Sequence, residues 1–127
     1  NDRKTLQART YQQDALQRYD EVYGDDGYNE QLEEELNTIV DLGGCVDNVM
    51  IHHRVYGKME AELALSSRRK VGAFMEDIRS GKSSPLKNIT SNYHYHKVSA
   101  DSEETLDLIE QELREKGFLV EERRQAV

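Results

Sequence analysis

The last third of the chain changes its hydrophobic period twice, and this change limits the folds that the chain can adopt. Residues 89–98, ITSNYHYHKV, are rich in β-branched and aromatic residues and predict a strand. Apolar residues then recur at steps of three and four through Leu106, Ile109 and Leu113, which predicts a helix. Residues 118–122, FLVEE, predict a second strand. Because two strands are not a stable sheet, this ending needs a further strand from residues 49–56 or from a second copy of the chain.

The predicted helix of this ending has recognisable boundaries. Asp101 and Glu104 are spaced as the first and last residues of a capping box, in which two side chains satisfy free amides at a helix start. Gly117 follows the last apolar position and is typical of a residue that ends a helix. The helix is therefore predicted from about residue 102 to residue 116.

The first two thirds of the chain predict helices. One helix is expected over residues 2–23, because apolar residues recur there at helical steps. Its apolar stripe consists of Ala8, Tyr11, Ala15, Tyr19 and Val22. After a turn at residues 24–27, a second helix is expected over residues 29–42 and ends at Gly43-Gly44. Within it, the acidic run at residues 33–35 is interpreted as a solvated helix surface.

The segment over residues 47–80 has two interpretations. Helical spacing continues through apolar positions up to Ile78, and we expect a helix with a break near Ser66. The stretch VMIHHRVYG at residues 49–57 is rich in β-branched residues, and a strand is the alternative there.

Together these patterns predict an α+β fold. The N-terminal two thirds of the chain are expected to be helical, with two to three helices, and a strand-helix-strand unit is expected to follow. The chain is expected to be a single domain over residues 1–127, in which residues 1–80 are mainly helical, residues 81–88 form a loop and residues 89–127 form the strand-helix-strand unit.

Composition favours a protein that associates with itself. Of the 127 residues, 36% are hydrophobic and 33% are charged, so the core is lean. Tyrosine-lined helices of modest hydrophobicity suit packing between subunits, and we predict a homo-oligomer. No run approaches the roughly 20 apolar residues of a membrane span, so no membrane partner is expected. Cys45 is the single cysteine, which excludes an internal disulfide framework and favours a cytoplasmic location.

Charge is unevenly distributed along the chain. Residues 1–65 carry six Lys and Arg against fourteen Asp and Glu, and residues 98–127 carry four against nine. Residues 66–97 reverse this balance, with seven cations against two acids. An acidic protein with a basic centre is not a general coat for nucleic acid. Its basic centre is expected either to bind one anion or to pair with the acidic ends of the same chain.

The basic centre supplies the candidate binding residues. Arginine and lysine suit phosphate oxygens, and tyrosine faces suit bases. We therefore predict a ligand or anion site that a nucleotide or a nucleic acid would occupy. Its residues are Arg68, Arg69, Lys70, Tyr93, His94, Tyr95, His96 and Lys97.

A metal or catalytic role for His94 and His96 is not favoured. The two histidines are two residues apart and share one face of the predicted strand, but no further ligand is predicted near them. Lys97 beside them opposes a divalent cation. No tyrosine follows Tyr95, so the helix after the pair lacks the nucleophile of a nicking nuclease. No metal and no cofactor are predicted, and no catalytic residue is assigned.

The sequence therefore favours a non-enzymatic protein. The leading prediction is a small binding or regulatory protein with a protein partner, an inhibitor that presents its acidic helices to a basic partner. The alternative is a nucleotide- or RNA-binding protein that uses residues 66–97. A metal-dependent nuclease is the third possibility.

Overall fold

A computed structural model describes residues 3–10, 25–53, 57–80 and 94–124. Within these ranges the chain forms five strands and three helices. In chain order they are β1 (Lys4–Thr10), α1 (Asp25–Asp41), β2 (Cys45–His53), β3 (Gly57–Leu65), α2 (Arg68–Arg79), β4 (His94–Ala100), α3 (Glu103–Glu115) and β5 (Leu119–Arg124).

The five strands form one antiparallel sheet in the order β3-β2-β4-β1-β5. The strand β1 lies between β4 and β5, and Leu6 is opposite Val98. Leu6, Ala8 and Thr10 are buried whereas Gln7 is exposed, so one face of the sheet is covered and the other is not. The three helices cover that face, and their buried residues join those of the strands in one core.

The predicted helical N-terminal two thirds is wrong. Residues 4–10, assigned to a first helix, form β1 instead. The alternation of Leu6, Ala8 and Thr10 on the buried face has the period of a strand, and pairing with β4 and β5 stabilises it. The remaining residues of that predicted helix, 11–23, lie outside the described residues, as does the predicted loop at 81–88.

The favoured helix over the first part of residues 47–80 is also wrong. This part of the chain forms β2 and β3, an antiparallel pair in which Val49 is opposite Ala61 and Ile51 is opposite Met59. The strand alternative for VMIHHRVYG was therefore correct for residues 49–53. Ser67, one residue after the predicted break, caps α2 by accepting a hydrogen bond from the Lys70 amide at 3.2 Å.

The strand-helix-strand ending is present as β4, α3 and β5. Leu106, Ile109 and Leu113 are fully buried, as their spacing predicts. The helix starts one residue later than expected, because Ser102 rather than Asp101 is the capping residue and accepts a hydrogen bond from the Thr105 amide. Gly117 has a φ of 81°, a left-handed conformation that ends the helix.

Gly43 and Gly44 allow α1 to end close to α3. Gly43 has a φ of 102°, which favours glycine. A Cβ atom on Gly44 would lie 2.6 Å from Ile109 Cδ1, so a larger residue fits there only if the Ile109 side chain moves. The turn between α1 and β2 therefore packs closely against the Ile109 side chain of α3. Among the described helices, none is both long and apolar enough to cross a membrane.

Candidate functional site

The start of α2 carries three of the four cations of the predicted basic site, and one of the three forms an ion pair within the chain. Arg68 binds Asp41 of α1 through two hydrogen bonds, Nε to Oδ1 at 2.7 Å and Nη2 to Oδ2 at 2.6 Å. The hydrogen bonds and charge of Asp41 raise the pKa of Arg68, and those of Arg68 lower the pKa of Asp41. Lys70 Nζ donates to Ser66 Oγ at 3.1 Å, and Arg69 is exposed.

The residues of β4 that complete the predicted site lie on both faces of the sheet. His96 is buried on the helix side, whereas Lys97 is exposed on the open face together with the half-buried Tyr95. Tyr93 and the side chain of His94 lie outside the described residues. The helix α2 follows the edge strand β3, and β4 lies two positions further into the sheet. The contact of one ligand with both the cations of α2 and the residues of β4 therefore remains a prediction.

Helix α1 turns its exposed acids toward a polar groove and toward cations of the other two helices. Arg79 binds Glu33 at 2.9 Å, and Lys116 Nζ lies 3.6 Å from Glu34 Oε2. The groove encloses about 300 Å³. Its lining residues are Glu33, Glu34, Asn37, Thr38, Asp41, Arg68 and Lys116. Because cations of α2 and α3 pair with these acids, part of the acidic surface that was predicted to attract a basic partner is already neutralised within the chain.

A different group of residues forms a buried polar cluster beneath the sheet: Thr10, Glu35 and His96. His96 Nε2 lies 2.8 Å from Glu35 Oε2, and the two side chains are 1% and 0% exposed. The Thr10 hydroxyl donates to the same carboxylate oxygen at 3.3 Å. The other imidazole nitrogen, Nδ1, donates to the backbone carbonyl of Asn48 at 3.1 Å, because a carbonyl oxygen only accepts. The cluster thus connects β1, α1 and β4 with β2.

Burial makes this cluster the strongest candidate for function among the described side chains. Removing a carboxylate and an imidazole from water is unfavourable, and hydrogen bonds within the protein offset that cost only in part. A buried imidazole and a buried carboxylate in contact are therefore candidates for a binding or catalytic role. Imidazole and carboxylate can exchange a proton, accept a ligand's donors, or bind a metal.

The sequence contained a signal for Glu35 that was misread. The acidic run at residues 33–35 was interpreted as a solvated surface, but Glu35 lies three residues after Leu32 and four before Ile39. Leu32 and Ile39 are both buried, so this spacing places Glu35 on the inward stripe of α1. The inward position of its carboxylate distinguishes Glu35 from its neighbours Glu33 and Glu34.

An apolar flank lies beside the buried polar cluster. Val49 is opposite His96 on β4 and opposite Ala61 on β3, and it is 3% exposed. Met59, Ala61 and Leu63 pack around it and are half-buried. Polar groups and apolar side chains therefore lie side by side here, a combination that is common in the lining of ligand sites.

The described side chains do not complete a metal site. Within the described residues, no three His, Cys, Asp or Glu side chains gather closely enough to hold an ion. Glu35 and His96 supply two suitable ligands, and a third would have to come from outside these described side chains. Cys45 gives no sign of a nucleophile, because burial and the nearby Asp47 carboxylate raise the pKa of its thiol.

Comparison with known proteins shows the family to which this chain belongs. Residues 27–122 match the model of the 3H domain. The chain is 37% identical over 93 residues to a probable transcription repressor, NiaR, of Thermotoga maritima, a match that covers 73% of the chain and 53% of the relative. It is also 37% identical over 93 residues to the transcription repressor NadR of Bacillus subtilis, covering 73% and 52%. The chain therefore spans about half the length of these curated relatives. The prediction of a regulatory protein agrees with the names of these relatives, whereas the prediction of an inhibitor of a basic protein partner does not.

Proposed function

Because the chain belongs to the 3H domain family, we propose that it is the regulatory part of a transcription repressor and that the buried polar cluster receives the signal. The observation that carries the proposal is the pair of Glu35 Oε2 and His96 Nε2, 2.8 Å apart in the core. The names of the relatives supply the repressor role. A repressor acts where DNA is, which agrees with the predicted cytoplasmic location.

The described surface suits a regulatory role better than direct reading of DNA. Helix α3 carries exposed Glu103, Glu104 and Asp107, and phosphates would repel such a surface. Arg68 and Arg79 of α2 already pair with carboxylates of α1. We therefore propose that residues of the repressor other than these described helices contact the bases. The nucleic-acid partner that was predicted through residues 66–97 would then be bound by the repressor as a whole.

The position of the buried polar cluster suits a site at which a bound ligand would change the conformation of the protein. Glu35 is on α1, His96 on β4 and Thr10 on β1, so three elements meet at one carboxylate. A ligand that takes the place of His96 or Thr10 at this carboxylate would change the contacts that hold α1 to the sheet. A ligand shifts a conformational equilibrium only when its contacts differ between the two states, and this exchange provides such a difference.

The chemistry of the buried polar cluster limits the classes of ligand that it would bind. Imidazole and carboxylate together suit divalent cations of intermediate softness, such as zinc, and they also suit a molecule with hydrogen-bond donors. Zinc is a useful first probe because it requires only one or two further ligands. The apolar flank around Val49 favours an organic molecule over a bare ion, either alone or bound with the cation.

The test measures whether small molecules control DNA binding through Glu35. A duplex is first selected from random sequences with the protein that carries this chain, and its dissociation constant is measured by fluorescence anisotropy. The measurement is repeated with zinc, with EDTA and with a low-molecular-weight extract of the source cells. We expect one of these additions to change the dissociation constant of the wild-type protein by several fold.

Two matched variants test whether the buried polar cluster causes this change in the dissociation constant. Glu35→Gln keeps the shape of the side chain and removes its charge, and we expect it to abolish the response. Glu34→Gln makes the same change at the neighbouring exposed carboxylate and should respond as the wild type does. The proposal fails if no duplex is selected or if the two variants respond alike.

A further inference from the structure

The face of the sheet that the described helices leave open carries a polar patch centred on β4. Tyr95 is half-buried there, and Lys97 is exposed. Gln7 of β1 lies opposite Lys97 on one side, and Asn48 of β2 lies opposite it on the other. Met50 lies opposite Tyr95 and is also half-buried. These five residues, called the open-face patch below, combine an aromatic ring, a thioether, two amides and one cation.

Lys97 differs from most of the described cations because no acid of the described residues forms an ion pair with its ammonium. Arg68 and Arg79 of the helix layer bind carboxylates of α1. Lys58, an exposed lysine on the same face of the sheet, lies 3.7 Å from Glu60. The two side chains opposite Lys97 are uncharged amides. An anion therefore does not have to displace a carboxylate to reach this lysine, and phosphate oxygens suit a lysine ammonium.

A β-bulge shapes the sheet at the open-face patch. The register of β2 shifts between Val46 and Asn48, against both β3 and β4. The backbone N–H of Lys97 donates to Asn48 Oδ1 at 3.1 Å, and Asn48 Nδ2 donates to Glu60 Oε1 at 3.0 Å. Because an amide nitrogen carries two hydrogens, one of them is left for a ligand. Bulges are frequent beside binding sites, where they bend a strand and change the direction of a side chain.

We propose that the open-face patch binds a purine mononucleotide, whose base stacks on Tyr95 and whose phosphate binds Lys97. The two residues are two apart on one strand and thus about 7 Å apart, a distance that the ribose of a nucleotide spans. A tyrosine ring stacks on a base, and Met50 gives the base an apolar neighbour. The exposed amide of Gln7 is both a donor and an acceptor, which suits the edge of adenine.

Charge favours a mononucleotide over a strand of nucleic acid. The chain has a net charge of −8, which repels a polyanion. A strand that crossed the sheet would also meet Glu60 and Glu62, which are exposed on β3. A single phosphate at Lys97 avoids these acids. The open-face patch lies on the opposite side of the sheet from the buried His96, so this proposal does not depend on the function proposed for the buried polar cluster.

An NMR titration with adenosine monophosphate (AMP) tests the site. Amide spectra are recorded on the protein that carries this chain. We expect the amide signals of Tyr95, Lys97 and Gln7 to shift, with a dissociation constant on the order of 0.1–1 mM, because one stack and one charged contact supply most of the affinity. Unchanged signals at these residues in about 10 mM AMP overturn the proposal. Binding of an adenine oligonucleotide more than about tenfold tighter than AMP overturns the choice of a mononucleotide.

Adenosine separates the two contacts, because it keeps the base and lacks the phosphate. We expect Lys97→Gln to raise the dissociation constant of AMP about fivefold and to leave that of adenosine unchanged. Lys58→Gln, which removes another exposed lysine from the same face, is the matched control and should leave both values unchanged. Equal effects of Lys97→Gln and Lys58→Gln on AMP, or equal effects of Lys97→Gln on AMP and adenosine, overturn the phosphate contact.

Substitutions of Tyr95 test the stack. Tyr95→Phe keeps the ring and should bind both ligands as the wild type does, whereas Tyr95→Ala should raise both dissociation constants about tenfold. Circular dichroism checks that each variant is folded. A folded Tyr95→Ala protein that binds AMP as tightly as the wild type overturns the proposal. If Tyr95→Ala does not fold, the comparison of AMP with adenosine on Lys97→Gln still decides whether the site exists.

Discussion

Of the contacts between a carboxylate and a basic side chain that tie helix α1 to its neighbours, two lie in opposite environments. Asp41 and Arg68 form two short hydrogen bonds in water, with side chains 45% and 66% exposed. Glu35 and His96 are 2.8 Å apart with almost no exposure. Water screens the first pair and competes for its hydrogen bonds, so such pairs contribute little to stability. The second pair is not screened, and each member depends on the other.

The comparison shows why the number of acids on α1 is a poor guide to its function. Most of its described acids face cations of α2 and α3 across a polar groove, where they fasten the helix layer. Among the described acids of α1 only Glu35 is buried; it contributes nothing to the acidic surface, yet it has the strongest claim to a ligand-binding role. Four measurements test this contrast.

The largest effect is expected for Glu35→Ala. The substitution leaves His96 buried without its carboxylate, and we expect the free energy of unfolding to fall by about 3–5 kcal/mol. Urea denaturation at pH 7 measures it. Glu34→Ala, at a neighbouring side chain that is 57% exposed, is the control and should have a much smaller effect. The double variant Glu35→Leu/His96→Leu should recover most of the loss, because it leaves no buried charge unpaired. Equal losses for Glu34→Ala and Glu35→Ala would contradict the contrast.

A smaller effect is expected for Thr10→Val. The substitution keeps the shape of the side chain but removes the hydroxyl that donates to Glu35 at 3.3 Å. We expect the free energy of unfolding to fall by about 1–2 kcal/mol, the cost of leaving a buried acceptor without one donor. In the Glu35→Leu/His96→Leu background the acceptor is absent, and the same substitution should no longer destabilise the protein. A loss that persists in that background would show that Thr10 acts independently of the cluster.

A still smaller effect is expected for Arg68→Ala. The side chain is exposed, and solvent screens its contact with Asp41. The shift in the urea midpoint should be several times smaller than for Glu35→Ala. Arg69→Ala, a substitution at the next residue of the same helix, gives the background effect of removing an exposed arginine. A shift for Arg68→Ala as large as for Glu35→Ala would remove the distinction between the two pairs.

The smallest effect is expected for the pH dependence of the stability that the exposed pair of Asp41 and Arg68 contributes. Hydrogen bonds from Arg68 lower the pKa of Asp41 in the folded protein below its ordinary value. The contribution of Asp41 to stability is therefore fully present above its unfolded pKa, near pH 4, and is lost as the pH falls through the lower folded pKa. The difference in stability between the wild type and Asp41→Asn should shrink below about pH 4. A carboxyl NMR titration in which Arg68→Ala leaves the pKa of Asp41 unchanged would contradict this assignment.

The sequence predicted the elements whose stabilising contacts are local and missed those that depend on distant partners. Helix α3 was identified because its apolar spacing and its glycine end occur within fifteen residues. The strand β1 was read as helix because Ala8 also fits a helical stripe with residues that follow it. What makes residues 4–10 a strand is their position between β4 and β5, and no local pattern contains this information.

The candidate site was predicted only in part for the same reason. His96 was identified from its spacing to His94, but it was assigned to a polar surface instead of the core. Its partners Glu35 and Thr10 are distant in sequence and come from other elements. Their juxtaposition follows from the strand order, which single-sequence patterns do not determine. The inward position of Glu35 could be predicted from the sequence, but its contact with a histidine could not.

The place of β1 in the sheet also has a consequence for biosynthesis. Arg3, the residue before β1, donates a hydrogen bond to Ser99, 96 residues later on β4, and β1 pairs on its other side with β5. A ribosome therefore releases the first described strand long before either of its neighbours exists. Until β4 and β5 emerge, the apolar side chains of β1 stay without their native cover, and closing so long a loop is slow. Nascent chains that stall before β5 should consequently depend on chaperones more than completed ones do.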